Sequence, residues 1–213
     1  MQSIALIDYG SGNLRSAEKA LIKAGAGLAG ARTVRVTEDP DVIARADRIV
    51  LPGVGAFAAC MTAFSARPGL VEAIEQAVRG RGAPFLGICV GMQLLATRGL
   101  EFGETPGLDW IGGDVRRLRP DGAAFKVPHM GWNDLIVGQS HPILAGVETA
   151  PMYFTHSFAL YPHRDADVAA RVDHGGAFVA AVARDNIVGV QFHPEKSQSA
   201  GLRLLANFLD WRP

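Results

Sequence analysis

Phe85-Leu86-Gly87-Ile88-Cys89-Val90-Gly91-Met92-Gln93 is an apolar run that follows Pro84 and passes through Gly-x-Cys-x-Gly toward helical spacing. A strand that turns sharply into a helix crowds its own backbone, so glycine is needed at 87 and 91, where side chains would collide. Cys89 is then pushed out above the sheet at the helix amino terminus. There the dipole and unpaired N–H groups favour thiolate over thiol, and the Val90 amide faces a developing oxyanion. The pattern is a nucleophile elbow with sulfur in place of oxygen. A free cysteine is usually a small core residue, and Cys60, which lies in Ala58 to Ala63 without flanking glycines, is read that way. The glycines around Cys89 have no purpose in such a role.

Outward from the elbow, strands and helices alternate. Ile4 to Ile7 precedes Leu14, Ala17, Leu21 and Ala24 at helical spacing; Val34 and Val36 alternate as a strand; Val42, Ile43 and Ala46 suit a short helix opened by Pro40. Ile49 to Leu51 reads as a buried strand ending at Pro52, and Leu70, Val71, Ile74, Ala77 and Val78 stripe the helix before the elbow strand. Such alternation implies a mostly parallel central sheet flanked by helices. From about Leu108 the runs become short and β-rich: Trp110 to Leu118, Met152 to Leu160, Val168 to Val172, Phe178 to Ala183 and Ile187 to Phe192. These predict antiparallel strands that extend the sheet, with Asp185-Asn186 as a hairpin turn and Leu202, Leu205, Ala206 and Leu209 as a closing helix. The expected fold is α/β, with residues 1–213 as one domain.

Composition removes several classes of function. Lys and Arg total 21 and Asp and Glu total 21, so the formal net charge is zero and no long-range field draws polyanions. Nucleic acid is not expected as a partner, and Arg116, Arg117 and Arg119 read as a solvated strand face. The uncharged stretches Ile49 to Ala66 and Gly82 to Thr97 are interrupted by proline and glycine, which argues against membrane spans. The amino terminus has no positive region before its short apolar run, so no signal peptide is expected and the cytoplasm is the expected compartment. With two cysteines, Cys60 and Cys89, in no Cys-x-x-Cys spacing, neither a disulfide framework nor a metal site is expected.

A thiolate nucleophile needs a base and a group to orient it. Gly189-Val190-Gln191-Phe192 is strand-like and delivers His193-Pro194-Glu195 to the sheet end where open α/β folds place their sites. Pro194 keeps His193 extended, and period-two geometry points His193 and Glu195 to the same side. The carboxylate can then hold the imidazole in the tautomer that exchanges a proton with Cys89. His129, His141, His163 and His174 lack such a neighbour and read as structural. Pro52-Gly53-Val54-Gly55-Ala56-Phe57 follows a buried strand and offers amides beside the elbow. It also fits Gly-x-Gly-x-x-Ala, but that dinucleotide fingerprint belongs to a first strand, and a second oxyanion donor explains the glycines better.

Gly87-Ile88-Cys89-Val90-Gly91-Met92-Gln93 with His193-Pro194-Glu195 resembles the class I glutamine amidotransferases, in which Cys, His and Glu hydrolyse the side-chain amide of glutamine. Tyr9 to Leu14, Pro52 to Phe57, Val127-Pro128-His129-Met130-Gly131-Trp132-Asn133, Tyr153 to Phe158 and Gln191 to Gln198 are similar to one branch of that family. That branch supplies ammonia to a separate (β/α)8 cyclase chain in histidine biosynthesis. The resemblance spans essentially the whole chain. It implies Cys89 as nucleophile, His193 as base and acid, Glu195 as its orienter, and the Val54 and Val90 amides as oxyanion donors. Gly53, Gln93, Glu101, Ser157 and Phe158 match glutamine-holding positions, and Asn13, Trp132, Tyr153 and Lys196 match positions facing the cyclase. No cofactor or metal is implied, and the implied assembly is a one-to-one heterodimer. Val90 stands where Leu is commoner, Phe158 where Tyr is common, and Gly25 to Ala31 is longer than usual. Two other readings fit the same elbow: a cysteine hydrolase of other substrates, and a non-catalytic binding subunit.

Overall fold

Four strand–helix units build the first half of the chain, which a computed structural model describes over residues 1–213. β1 (Gln2–Ile7) precedes α1 (Leu14–Gly25), and β2 (Arg32–Thr37) precedes α2 (Pro40–Arg45). β3 (Arg48–Gly53) leads to α3 (Phe57–Ser65) and α4 (Leu70–Glu75), which runs on through a wider turn at Gln76–Gly80. β4 (Phe85–Cys89) then enters α5 (Val90–Gln93). Local chemistry sets several of these bounds. α2 starts where the Asp39 carboxylate accepts the Asp41 N–H, with Pro40 supplying the first helical φ. α1 buries Ala17, Ala20, Leu21 and Ala24 on one face and packs on the last helix.

The second half is β-rich. It runs β5 (Arg98–Gly99), β6 (Thr105–Pro106), β7 (Gly113–Arg117), β8 (His129–Asp134), β9 (Ile136–Val137), β10 (Pro151–His156), β11 (Phe158–Pro162), β12 (Val168–Asp173), β13 (Ala177–Arg184), β14 (Ile187–Val190) and α6 (Gln198–Asp210). The main sheet has the order β2-β1-β3-β4-β14-β13-β12-β9, parallel from β2 through β14 and antiparallel beyond. β14 lies on β4 with Val190 opposite Ile88, so the chain leaves the sheet beside Cys89. That register brings two segments far apart in sequence to one sheet end. β8 and β10 form an antiparallel pair, and β11-β7-β5-β6 form a third sheet. A continuous apolar cluster, including Leu6, Phe64, Phe85 and Phe208, fills the space between sheet and helices. Each such side chain contributes about 1.5–3 kcal/mol on burial. No helix is long and apolar enough to cross a membrane.

Several expectations need correction. β3 does not end at Pro52 but pairs with β4 through Gly53. β1 follows β3 only to Val50, so Pro52 has a strand on one side alone and its missing N–H costs no ladder bond. Met152 to Leu160 is two strands, β10 and β11, broken at Ser157 and paired in different sheets. Trp110 and Ile111 are buried ahead of β7 rather than within it, and β14 stops at Val190. The Pro128 to Asn133 run, read only as a motif, forms all of strand β8 but its last residue, Asp134. Finally, α5 has only four residues, so its macrodipole is too short for the argument that a full helix steers Cys89 toward thiolate.

Candidate active site

Cys89 sits at the junction of β4 and α5 with φ +55° and ψ −112°, a conformation a non-glycine residue adopts only when its surroundings enforce it. Those surroundings are close-packed backbone. A Cβ at Gly91 would lie 1.9 Å from the Leu51 carbonyl oxygen, and one at Gly87 would lie 2.6 Å from that of Gly91. The two glycines therefore let β3, β4 and α5 approach closely enough to hold the elbow, as their spacing predicts.

Opposite the elbow, the chain leaving β14 runs through Gln191 to His193. The His193 N–H donates to the Tyr153 carbonyl at 2.9 Å, and the His193 carbonyl accepts the Ser197 hydroxyl at 2.6 Å. The Ser197 oxygen also takes the Tyr153 N–H at 3.0 Å, so β10 clamps the histidine backbone. Nδ1 of His193 lies 2.8 Å from Oε1 of Glu195, and both side chains are buried. That bond occupies Nδ1 and leaves Nε2 buried without a hydrogen-bond partner. Burial, the largest single influence, disfavours the imidazolium, but the Cys89 sulfur and the Glu195 carboxylate outweigh it and push the His193 pKa up to about 9. The protonated imidazole is thus the neutral-pH form when the sulfur is ionised.

Cys89 and His193 line one cleft of about 330 Å³ together with Val54, Gly55, Val90, Gln93, Glu101, Pro128, Thr155, His156, Ser157, Phe158 and Lys196. The Gln93 amide donates to the Phe158 carbonyl at 3.0 Å and to Gln191 Oε1 at 2.9 Å. Glu101 accepts the Phe57 N–H at 2.8 Å, which ties α3 to the cleft wall. Gly53 is not on this wall. Its α-carbon packs behind it, where an added Cβ would stand 2.7 Å from the Tyr9 hydroxyl and 2.8 Å from the Gly91 nitrogen. Val54 lines the cleft, but its N–H donates to Ser11 Oγ at 3.3 Å, while its carbonyl accepts the Ser11 hydroxyl at 2.7 Å and the Cys60 thiol at 3.3 Å. In this conformation the Val54 amide is occupied by Ser11. Val90 is the first residue of α5, where the helix itself offers its N–H no acceptor.

Trp132 is 47 % exposed and meets Tyr153 edge to face at 5.9 Å, while the ammonium of Lys196, which lines the cleft, lies 5.7 Å from the Tyr153 ring. These three share one surface with Met130, which is 64 % exposed. Asn13 stands apart from them, at a small cavity bounded by Gly53, Val54, His193 and Glu195. Sequence reasoning missed Gln191, which is fully buried and donates to Cys89 Sγ at 3.7 Å. A glutamine inside a strand carries no signal of this role until the register of β14 on β4 is known. It also missed Ser11 and His156. No group of three or more His, Cys, Asp or Glu side chains is placed to hold a metal ion.

The family model described as glutamine amidotransferase class-I matches residues 5–211. A protein of Caulobacter vibrioides named imidazole glycerol phosphate synthase subunit HisH is 60 % identical over 100 % of both chains. One of the same name from Cereibacter sphaeroides is 56 % identical over 98 % of both. Among solved structures, one described as a glutamine amidotransferase superposes with a TM-score of 0.70 at 18 % identity, covering 97 % of both chains. A Thermoplasma acidophilum protein described as a putative GMP synthase component gives 0.68 at 21 %, over 99 % of this chain and 93 % of that one. At those identities the two structures speak for the fold alone.

Proposed function

The chain belongs to the class-I glutamine amidotransferases, and from that premise we propose how its cleft works and what it works with. It is a glutaminase subunit of imidazole glycerol phosphate synthase, in histidine biosynthesis. Cys89 attacks the side-chain amide carbon of glutamine. The charge that develops on the amide oxygen is held by the Val90 N–H and, once its peptide has rotated away from Ser11, by the Val54 N–H. His193, protonated and held through Nδ1 by Glu195, gives its proton to the leaving nitrogen, and ammonia departs from a thioester on Cys89. The now neutral imidazole takes a proton from water, which attacks the thioester and releases glutamate. Gln93, Glu101, Ser157 and Phe158 hold the amino-acid end of the substrate.

Ammonia freed into water is protonated and loses its lone pair as a nucleophile, so the product has to pass directly to an acceptor. We assign that acceptor to a (β/α)8 cyclase chain in a one-to-one heterodimer, docked on the face carrying Trp132, Tyr153 and Lys196 and reaching Asn13. There ammonia is combined with a ribulose-containing phosphoribosyl aminoimidazole carboxamide nucleotide, giving imidazole glycerol phosphate and an aminoimidazole carboxamide ribotide. The cytoplasm is the proposed compartment. Docking also gates the reaction by rotating the Val54 peptide.

The observation that carries this reading is the convergence of Cys89 and the His193–Glu195 pair on one cleft. A glutamine-like electrophile should label Cys89 and spare Cys60 in the cyclase complex, with free glutamine protecting against labelling. Equal labelling of both thiols, indifferent to glutamine, would remove the substrate assignment.

A further inference from the structure

From the cleft wall inward runs a chain of side chains that the proposed reaction itself does not use. The Phe158 carbonyl accepts Nδ1 of His156 at 2.9 Å; Nε2 of His156 faces Nδ1 of His129 at 3.1 Å; and Nε2 of His129 faces the Asn133 amide nitrogen at 3.3 Å. That amide also donates to the Asp173 carbonyl at 2.7 Å, and its own oxygen accepts the Asp134 N–H at 2.9 Å, which fixes which way the amide points.

Only one proton arrangement satisfies every link. A carbonyl accepts and cannot donate, so Nδ1 of His156 carries a proton and its Nε2 is a lone pair when the ring is neutral. That lone pair requires a proton on His129 Nδ1, which leaves His129 Nε2 to accept from Asn133, whose second hydrogen goes to Asp173. Both rings are therefore in the Nδ1–H form. Burial, the largest influence on each, lowers the pKa of His129 to about 3, with His156 and His174 adding to the fall, and that of His156 to about 4, where the Phe158 carbonyl opposes the fall and His174 and His193 add to it. His129 is further held between two parallel rings, Phe154 at 4.8 Å and His174 at 4.1 Å, the latter anchored by its bond to the Lys126 carbonyl.

The relay has two ends with different roles. His156 lines the cleft, and the carbonyl it fixes also receives Gln93. His129 and Asn133 lie on the inner face of β8, whose outer face carries Met130 and Trp132. Because side chains alternate along a strand, a shift of β8 that moves Trp132 moves His129 and Asn133 with it. We propose that His129 and His156 are positioning residues: a neutral, single-tautomer relay that sets the Ser157–Phe158 wall of the glutamine cleft and ties it to the exposed strand β8. This rests on reading the cleft as a glutamine site.

Two measurements test it. In the full chain labelled with ¹⁵N-histidine, His129 and His156 should both show Nδ1–H with unprotonated Nε2 across the neutral range, and the His156 signal should shift when glutamine is added. An Nε2–H tautomer at either ring overturns the relay, whatever the enzyme does. In the cyclase complex, His156→Asn retains a donor near the Nδ1 position and His156→Gln does not. His156→Gln should raise KM for glutamine about tenfold, the loss of roughly one buried hydrogen bond, while kcat changes little, and His156→Asn should recover most of the loss. Equal KM for the two variants, or a fall in kcat with KM unchanged, overturns the positioning role. Failure of the glutaminase reading is distinct: the wild-type complex would then turn over no glutamine at all.

Discussion

Ser11 Oγ accepts the Val54 N–H at 3.3 Å and donates to the Val54 carbonyl at 2.7 Å, so one hydroxyl holds both ends of the residue that the mechanism needs as an oxyanion donor. Gly55, next in sequence, has φ +96° and nothing within 4 Å of where a Cβ would stand, which leaves that turn room to move. The Cys60 thiol adds a second contact to that carbonyl. If this is the resting state of the gate, Ser11→Ala should raise glutaminase activity of the isolated chain about fivefold, the value of roughly 1 kcal/mol of lost hydrogen bonding. Activation by the nucleotide-loaded cyclase should shrink by the same factor. Steady-state hydrolysis with and without the cyclase reads both; an unchanged basal rate would mean that Ser11 does not hold the gate.

His193 and Glu195 should differ in what their loss does. His193→Ala removes the proton carrier and should lower kcat by about 10²-fold or more. Glu195→Gln keeps the shape and loses the charge, so it should cost less than that while still slowing turnover. A harmless Glu195→Gln would assign orientation to the backbone clamp from Ser197 and Tyr153.

The pKa of His193 gives a pH signature. A histidine raised from near 6.5 to about 9 stabilises the folded chain fully below its unfolded pKa, and that contribution is lost as pH rises through about 9. Cys89→Ala removes the sulfur that helps to raise it. In an NMR titration His193 should therefore lose its proton at lower pH in Cys89→Ala than in the parent chain. An unchanged midpoint would show that the sulfur and imidazole do not interact.

Gly91→Ala tests the elbow itself. Its methyl group would enter the space of the Leu51 carbonyl, and backbone cannot move aside as a side chain end can. Destabilisation of about 3 kcal/mol or more is expected by denaturant unfolding. Cys60→Ala, a small core truncation, should cost about 1 kcal/mol. A Gly91→Ala chain of normal stability would mean that β3 and α5 pack less closely than described.

The elbow, the parallel strands and the pairing of His193 with Glu195 were legible in the sequence because they rest on local rules: glycine where backbone crowds, apolar runs between helices, and a carboxylate two residues beyond a histidine that Pro194 keeps extended. The period-two geometry expected for that pair does not hold, because Pro194–Lys196 is a 3₁₀ turn, and it is within this turn that Glu195 meets His193. What was not legible depends on register between distant segments. Gln191 reaches Cys89 only because β14 lies on β4, and His129 meets His156 only because β8 pairs with β10. The break at Ser157 is likewise tertiary, since the two halves of one apolar run pair with different partners. The four-residue length of α5 is hidden in the sequence because Leu94, Leu95 and Ala96 continue the apolar pattern, in buried turns that bond to residues 108 to 111 rather than to a further helix.

The proposed role of Cys89 is to make ammonia from glutamine for use elsewhere. It is tested most directly by forming the complex of the Cys89→Ala chain with the cyclase and measuring imidazole glycerol phosphate synthesis from glutamine and, separately, from ammonium salt. No glutamine-dependent synthesis and an undiminished rate with ammonium are expected. Persistent glutamine-dependent synthesis without the Cys89 thiol, or loss of both activities, would contradict it.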